Sequence, residues 1–195
     1  MRKSISLFTV LFIAFFALNA SAQTSKLLGT WYGNTTPVNQ QGMRGTMVPS
    51  LTLKDGNIGT FDCVLKQKGS LGNGTTVEFT VNHSAPCHWE FDGSNLYLRI
   101  DVYNAVITVP KNKVKFTCKD PKGLKALNSS KDEFIELVKN EYFDPNMIPD
   151  EAYWQNVSVL GNTLTFYEDG VKYTFKKKAA SSGKSSSKKS TKKRR

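Results

Sequence analysis

The sequence is poor in the residues that catalysis most often uses. Among 195 residues it has two histidines and three cysteines. It has no G-x-S-x-G nucleophile motif, no H-E-x-x-H zinc motif and no glycine-rich phosphate loop. Because no residue pattern indicates a reaction or a bound cofactor, we expect a protein that is not an enzyme and that carries no cofactor.

Metal-ligand residue types occur together at one place only. His83, Cys87 and His88 lie close in the sequence, and histidine and cysteine are the usual ligands of zinc. However, adjacent residues of a strand point to opposite faces, so Cys87 and His88 cannot share a site. No fourth ligand is visible, and we predict no metal site.

One pair of acidic residues could in principle work together. Glu78 and Glu90 are equidistant from residue 84, so a turn at Asn82–Pro86 would place them opposite each other. Two close carboxylates are the apparatus of glycoside hydrolysis. The alternation of the flanking residues points both away from the apolar face, which favours two solvated surface acids.

An odd number of cysteines leaves at least one without a partner in the chain. Cys63, Cys87 and Cys118 share the parity of apolar, inward-facing neighbours, which favours buried free thiols. A disulfide is the alternative in an exported protein. The pairing stays open, with Cys63 and Cys87 the least favoured pair because they are expected at opposite ends of their strands.

Acidic residues are absent from both ends of the chain. The net charge is +11, but residues 176–195 hold ten basic residues and residues 1–22 hold two, which leaves residues 23–175 close to neutral. A basic globular nucleic-acid binder is therefore not expected. We predict one domain over 23–178 and a disordered Lys/Ser-rich tail over 179–195.

The basic tail has two interpretations. It is either a solvated appendage or a segment that attracts anionic polymers of the cell envelope. It contains no aromatic residue, so nothing favours base stacking or specific nucleic-acid binding.

The chain also lacks an apolar run long enough to span a membrane. Arg2 and Lys3 precede the run from Ile5 to Leu18, which has 14 residues, whereas a spanning helix needs about 20. Ala20-Ser21-Ala22 follows as a small-residue cleavage site. This order predicts a signal peptide over 1–22, cleaved after Ala22, and no transmembrane segment. We expect export to the periplasm, the outer-membrane surface or the medium.

The middle of the chain alternates apolar and polar residues with a period of two. Dipeptides typical of tight hairpins, such as Asp55-Gly56, Asp92-Gly93, Gly161-Asn162 and Asp169-Gly170, separate the runs. The spacers that parallel connections need are missing. We predict eight to ten strands in an antiparallel meander that closes into a small barrel. The alternating runs lie at Val77–Val81, Cys87–Phe91, Leu96–Val102, Val114–Cys118 and between Val157 and Phe175.

A single amphipathic helix is predicted over 131–143, before the last strands. Phe134, Leu137, Val138 and Tyr142 recur at helical spacing and form one apolar stripe. The stripe is expected to pack on the sheet or close one end of the barrel, and a lid over a pocket is the alternative.

A short motif carries a family resemblance. Gly29-Thr30-Trp31, just after the predicted signal peptide, resembles the lipocalin-like (calycin) domain, and the segments at 89–96 and 159–166 are similar to small exported proteins of the Bacteroides group. The likeness covers about 26–178 and implies that Gly29 and Trp31 are a fold signature, with Trp31 packed across the barrel base. The Thr-Asp-Tyr motif of lipocalins is missing, and Lys176 or Lys177 would replace the arginine that stacks on this tryptophan.

The resemblance implies a binding protein for a small hydrophobic or amphipathic molecule. The alternative is a structural or interaction protein of the cell envelope whose barrel is filled by its own side chains. The candidate lining residues are inward-facing aromatics, namely Phe61, Phe79, Trp89, Phe116 and Phe166.

Overall fold

The structure is a computed structural model that describes residues 24–40, 42–142 and 149–177. The predicted signal peptide, its cleavage site and the predicted tail at 179–195 lie outside the described residues.

Eleven strands of the described residues form one sheet in which every pair is antiparallel. Two α-helices stand between the eighth strand and the ninth. The strands are β1 (Gly29–Tyr32), β2 (Thr36–Gln40), β3 (Met43–Lys54), β4 (Ile58–Gly72), β5 (Thr75–Phe91), β6 (Leu96–Ile100), β7 (Val106–Thr108), β8 (Lys115–Thr117), β9 (Glu151–Leu160), β10 (Thr163–Glu168) and β11 (Val171–Lys177). These two helices are α1 (Pro121–Ser129) and α2 (Lys131–Tyr142), and a short helical segment at 24–27 precedes β1.

Eight of these strands close into a barrel. Going round the barrel, β1 is followed by β11, β10, β9, β6, β5, β4 and β3, and β3 pairs with β1 again. The closure runs through Trp31, which lies opposite Lys177 on β11 and opposite Leu51 on β3. The predicted fold class, an antiparallel barrel with a helix before the last strands, is confirmed.

Three strands are longer than the barrel requires. β3, β4 and β5 have 12, 15 and 17 residues, and their outer halves continue as a sheet beyond the barrel. β2 pairs with the first half of β3, whereas β7 and β8 pair with the first half of β5. We call this part, residues 43–48, 64–72 and 75–84 together with β2, β7 and β8, the sheet extension.

The predicted turn at Asn82–Pro86 is wrong, because β5 passes through it as one strand. Pro86 is tolerated there because it falls where β5 changes partner, between the residues that pair with β7 and those that pair with β6. Glu78 and Glu90 therefore lie on the same strand, twelve residues apart, and the carboxylate pair of a glycoside hydrolase is not formed.

Two helices occupy the region where one was predicted. α1 was missed, although Asp120 and Pro121 signal its start: the Asp120 carboxylate accepts hydrogen bonds from the backbone N–H groups of Lys122 and Gly123, and proline is favoured in the first turn. α2 covers the predicted segment up to Tyr142, while Phe143 lies outside the described residues. Neither helix, nor any other in the described residues, has the length and apolar character of a membrane-crossing helix.

The apolar stripe of α2 differs from the predicted one by one residue. Leu137 is 64% exposed, whereas Ile135 and Val138 are buried. At about 100° per residue, Phe134, Ile135, Val138 and Tyr142 fall within one sector, and Leu137 lies about 110° from its centre. The stripe packs on the inner face of the sheet extension, where the Phe134 ring meets Phe79 and Phe116 edge-on at 5.5 and 5.3 Å between centroids.

The molecule consequently has two hydrophobic cores. The barrel core is filled by large side chains, with Trp154 stacked on Phe166 at 3.7 Å between ring centroids. The extension core lies between the sheet extension and α2. Fully buried large residues of the barrel core are Leu27, Trp31, Leu51, Leu53, Trp89, Leu96, Leu98, Leu164 and Phe166.

The base of the barrel is closed around Trp31. Its ring is fully buried, and its Nε1 donates a hydrogen bond to the Leu27 carbonyl oxygen at 2.6 Å. Gly29 has a φ of +114°, and a Cβ there would lie 3.3 Å from Lys177 Cε. The backbone conformation therefore favours glycine at this position, and a side chain there would also crowd Lys177.

Candidate functional site

A cavity of about 390 Å³ opens between the two cores, at the mouth of the barrel. Its wall is the inner face of β2, β3, β4 and β5, and the end of α2 contributes the opposite side. Most of the lining is apolar. The lining residues are Val38, Met47, Pro49, Phe61, Cys63, Leu65, Val81, His83, Tyr142 and Pro149.

Strand register explains why these residues meet. Pro49, Cys63 and His83 lie opposite one another on β3, β4 and β5 and form one row across the sheet. The next row toward the helices contains Leu65 and Val81, and Phe61 lies in the next row toward the barrel. Because Pro49 and Cys63 are small, the middle row leaves a space between the packed barrel core and the packed extension core.

His83 is the one histidine that lines this cavity. Its Nδ1 is buried and has no hydrogen-bond partner among the described residues. Burial lowers the pKa of the imidazole below its ordinary value, and the negative charge of Asp62 opposes that shift. The ring is therefore neutral near pH 7, and Nδ1 is available to donate or accept one hydrogen bond, depending on the tautomer.

The cavity thiol is in its unreactive form. Burial raises the pKa of Cys63 to about 11, so the sulfur is a protonated, weakly polar group near pH 7 rather than a nucleophilic thiolate. Cys87 lies in the barrel core with a similarly raised pKa of about 11. Cys63, Cys87 and Cys118 are all free. Cys63 pairs with His83 and Cys87 with Gly59, which separates the first two thiols along the strands.

The residue types of a catalytic triad are near one another but on different faces. The Ser84 hydroxyl and the Thr60 hydroxyl both donate to the Asp62 carboxylate. These three residues are at even positions of β4 and β5, whereas His83 is at an odd position and faces the cavity. The imidazole therefore cannot act on the Ser84 hydroxyl. No three His, Cys, Asp or Glu residues of the described part converge as metal ligands.

Tyr142, at the end of α2, lines the cavity next to the helix. Burial raises the pKa of the Tyr142 hydroxyl, the charge of Glu141 adds to the rise, and the nearby Gln67 amide opposes it. Gln67 is buried, and neither of its amide atoms meets hydrogen-bond geometry with a described residue. Tyr142 is thus a neutral hydroxyl at the cavity wall.

The structure distributes the five predicted lining aromatics over three places. Phe61 lines the cavity. Trp89 and Phe166 belong to the barrel core, and Phe79 and Phe116 pack in the extension core. Ligand contact by these residues stays a prediction.

Sequence reasoning missed most of the lining, including Met47, Pro49, Leu65 and His83. A usable signal was present for three of them. Met47, Leu65 and His83 share the odd parity of the inward residues Phe61 and Phe79 on the neighbouring strands. The prediction considered only aromatic side chains, and it therefore left out the smaller side chains that line the cavity.

A comparison with known proteins finds no matching family model and no significant similarity to a curated protein or to a solved structure.

Proposed function

We propose that this protein is an exported, non-enzymatic binding protein that holds a small hydrophobic or amphipathic molecule at the mouth of a lipocalin-like barrel. The observation that carries the proposal is the cavity of about 390 Å³ between the two cores. Its volume falls in the range of about 300–1,000 Å³ in which small-molecule sites occur.

The lining favours a ligand with an apolar body and one neutral polar group. Met47, Phe61 and Leu65 offer apolar contacts, and burial of apolar ligand surface contributes about 25 cal/mol per Å². His83 lines the cavity, and its buried Nδ1 has no hydrogen-bond partner among the described residues. A single hydroxyl or carbonyl group on the ligand would satisfy it, and an unsatisfied buried polar atom is otherwise costly.

The protonation states of the site support binding rather than catalysis. A protonated Cys63 thiol and a neutral His83 on the face opposite Ser84 offer no activated nucleophile. Export of the mature chain from Gln23 and attachment of the 179–195 tail to anionic envelope polymers complete the proposal; both are supported by the sequence alone.

A second candidate function is a structural or interaction protein of the cell envelope. It is favoured by the filled barrel core, in which Trp31, Trp89 and Phe166 are fully buried. A ligand could therefore bind only at the mouth of the barrel and not inside it. The cavity would then be a packing defect between two cores, and the tail would supply surface contact.

A probe-displacement experiment separates the two functions. An environment-sensitive naphthylamine dye would be bound to the full chain and displaced with decanol. Val38→Trp fills the cavity from the outer strand β2, where Val38 is only partly buried. Val106→Trp is the matched control, because Val106 is 59% exposed on β7 and does not line the cavity.

We expect saturable dye binding that decanol competes away, a loss of affinity of tenfold or more in Val38→Trp, and unchanged binding in Val106→Trp. Dye binding that survives in Val38→Trp would show that the dye sits elsewhere. Absence of saturable binding in the unmodified chain would favour the structural protein.

A further inference from the structure

A cluster of cationic side chains lies on the outer face of the sheet extension, on the side of the sheet opposite the cavity and α2. It surrounds a shallow depression of about 390 Å³. We call this set the cationic face; its basic members are Arg44, Lys66, Lys68, Lys113 and Lys115.

Register places these charges side by side. Arg44, Lys68, Glu78 and Lys115 form one row across β3, β4, β5 and β8. Neighbouring strands are about 4.8 Å apart, so the row extends over about 14 Å. Lys66 lies in the adjacent row between Thr46 and Thr80. Residues 23–175 are nearly neutral in total, and folding brings five of their fifteen basic residues together on this face.

The charges are poorly compensated. Five basic residues share one acid, Glu78, which forms an ion pair with Lys68. That ion pair and the charge of Lys115 lower the pKa of Glu78, so it is ionised near pH 7. Arg44, Lys66 and Lys113 have no ion-pair partner among the described residues.

We propose that the cationic face is a binding site for an anionic saccharide, a glycan segment with sulfate or phosphate groups spaced about 5–14 Å apart. The proposal does not depend on a ligand in the cavity. Closely spaced uncompensated cations attract such groups and release their counterions. The hydroxyls of Thr46 and Thr80, which line the same depression, suit the sugar hydroxyls between the anionic groups.

The same face does not suit other polyanions as well. Phe79 borders the depression, but it is only 3% exposed and its ring packs in the extension core, so nucleobases have no exposed ring to stack on. No exposed large hydrophobic residue lines the depression, so nothing inserts into a bilayer.

The test uses the full chain and a sulfated hexasaccharide prepared from heparin, with backbone amide NMR as the readout. The triple variant Arg44→Gln, Lys66→Gln, Lys113→Gln removes three of the cations that have no ion-pair partner among the described residues. Lys122→Gln, Lys125→Gln, Lys172→Gln is the charge-matched control, since all three are exposed and away from the depression. Glu78→Gln removes the only acid of the face.

We expect shifts at Arg44, Lys66 and Lys115 that saturate with the hexasaccharide. Affinity measured from these shifts should fall about tenfold in the triple variant, stay unchanged in the control and rise in Glu78→Gln. These shifts should weaken as salt increases.

Three outcomes would overturn the proposal. Shifts confined to 178–195 would assign the binding to the tail alone. Equal loss in the triple variant and its control would indicate unspecific charge attraction. Equal or tighter binding of single-stranded DNA or of anionic vesicles at the same residues would make the ligand another polyanion.

Discussion

The Lys177 ammonium lies over the ring of Trp31, with Nζ 4.4 Å from the ring centroid. The two residues are directly opposite on β11 and β1, the last and first strands of the barrel. Lys177 Nζ also donates a hydrogen bond to the Lys26 carbonyl oxygen at 3.3 Å. One side chain therefore joins the end of the chain body to its beginning, at the base where the barrel closes.

Removing the Lys177 ammonium should destabilise the barrel, whereas the same substitution at Lys176 should leave the free energy of unfolding unchanged. Lys177→Met keeps an unbranched side chain over Trp31 and loses the cation, so we expect a loss of about 0.5–2 kcal/mol in the free energy of unfolding. Lys176→Met is the control, because Lys176 is exposed on the other face of β11. Urea unfolding of both variants measures the difference, and equal stabilities would mean that the cation contributes nothing.

The apolar stripe of α2 predicts that substitutions at Phe134 and at Leu137 differ in their effect on stability. Phe134→Ala removes the ring that meets Phe79 and Phe116 and should cost about 3–5 kcal/mol if the extension core behaves as a packed core. Leu137→Ala, at a position 64% exposed, should change the free energy of unfolding by less than about 0.5 kcal/mol. If thermal unfolding shows that Leu137→Ala is the more destabilised variant, Leu137 belongs to the buried stripe, as the sequence predicted.

The fold was largely predictable because local signals and pairing agreed. Asp169-Gly170 joins Glu168 and Val171 with a positive φ at both residues, as the dipeptide predicts. The turn wrongly predicted at Asn82–Pro86 was inferred from a run of polar residues and a proline, which are typical of turns. Apolar residues occupy the odd positions from Val77 to Trp89 with the single exception of His83, and this continued parity indicates one strand.

The cavity and the cationic face were less predictable because both depend on register across several strands. Pro49, Cys63 and His83 are 14 and 20 residues apart in the chain, and only pairing places them in one row. The same holds for Arg44, Lys68 and Lys115. Composition shows that ten basic residues lie in 176–195, but it does not show how the remaining charges are arranged in the fold.

The buried imidazole of His83 should make the free energy of unfolding depend on pH. Its pKa is lower in the folded protein than the ordinary 6.5. Between these two pKa values the unfolded chain binds more protons, so the free energy of unfolding should fall as pH decreases from about 6.5. In His83→Gln this decline should disappear relative to the unmodified protein. Urea unfolding between pH 7 and 5 checks it; parallel curves would mean that His83 is not buried as described.

Deletion of 179–195 tests the domain boundary and the tail together. It removes seven basic residues, so affinity for heparin should fall and its salt dependence should become flatter. The melting temperature should change little if the segment is disordered as its composition predicts, because such a segment makes few stabilising contacts. A clear loss of thermal stability would place part of the tail in the folded domain.

The most direct test of a ligand site at the barrel mouth is a methyl NMR titration of the full chain with decanol. We expect saturable shifts and intermolecular contacts at the methyl groups of Met47, Leu65 and Val81, which line the cavity. The methyl groups of Leu96, Leu98 and Leu164, buried in the filled barrel core, should show no contact with decanol. No saturable shift at the cavity methyls, or contacts confined to other surfaces, would contradict a binding function for this barrel.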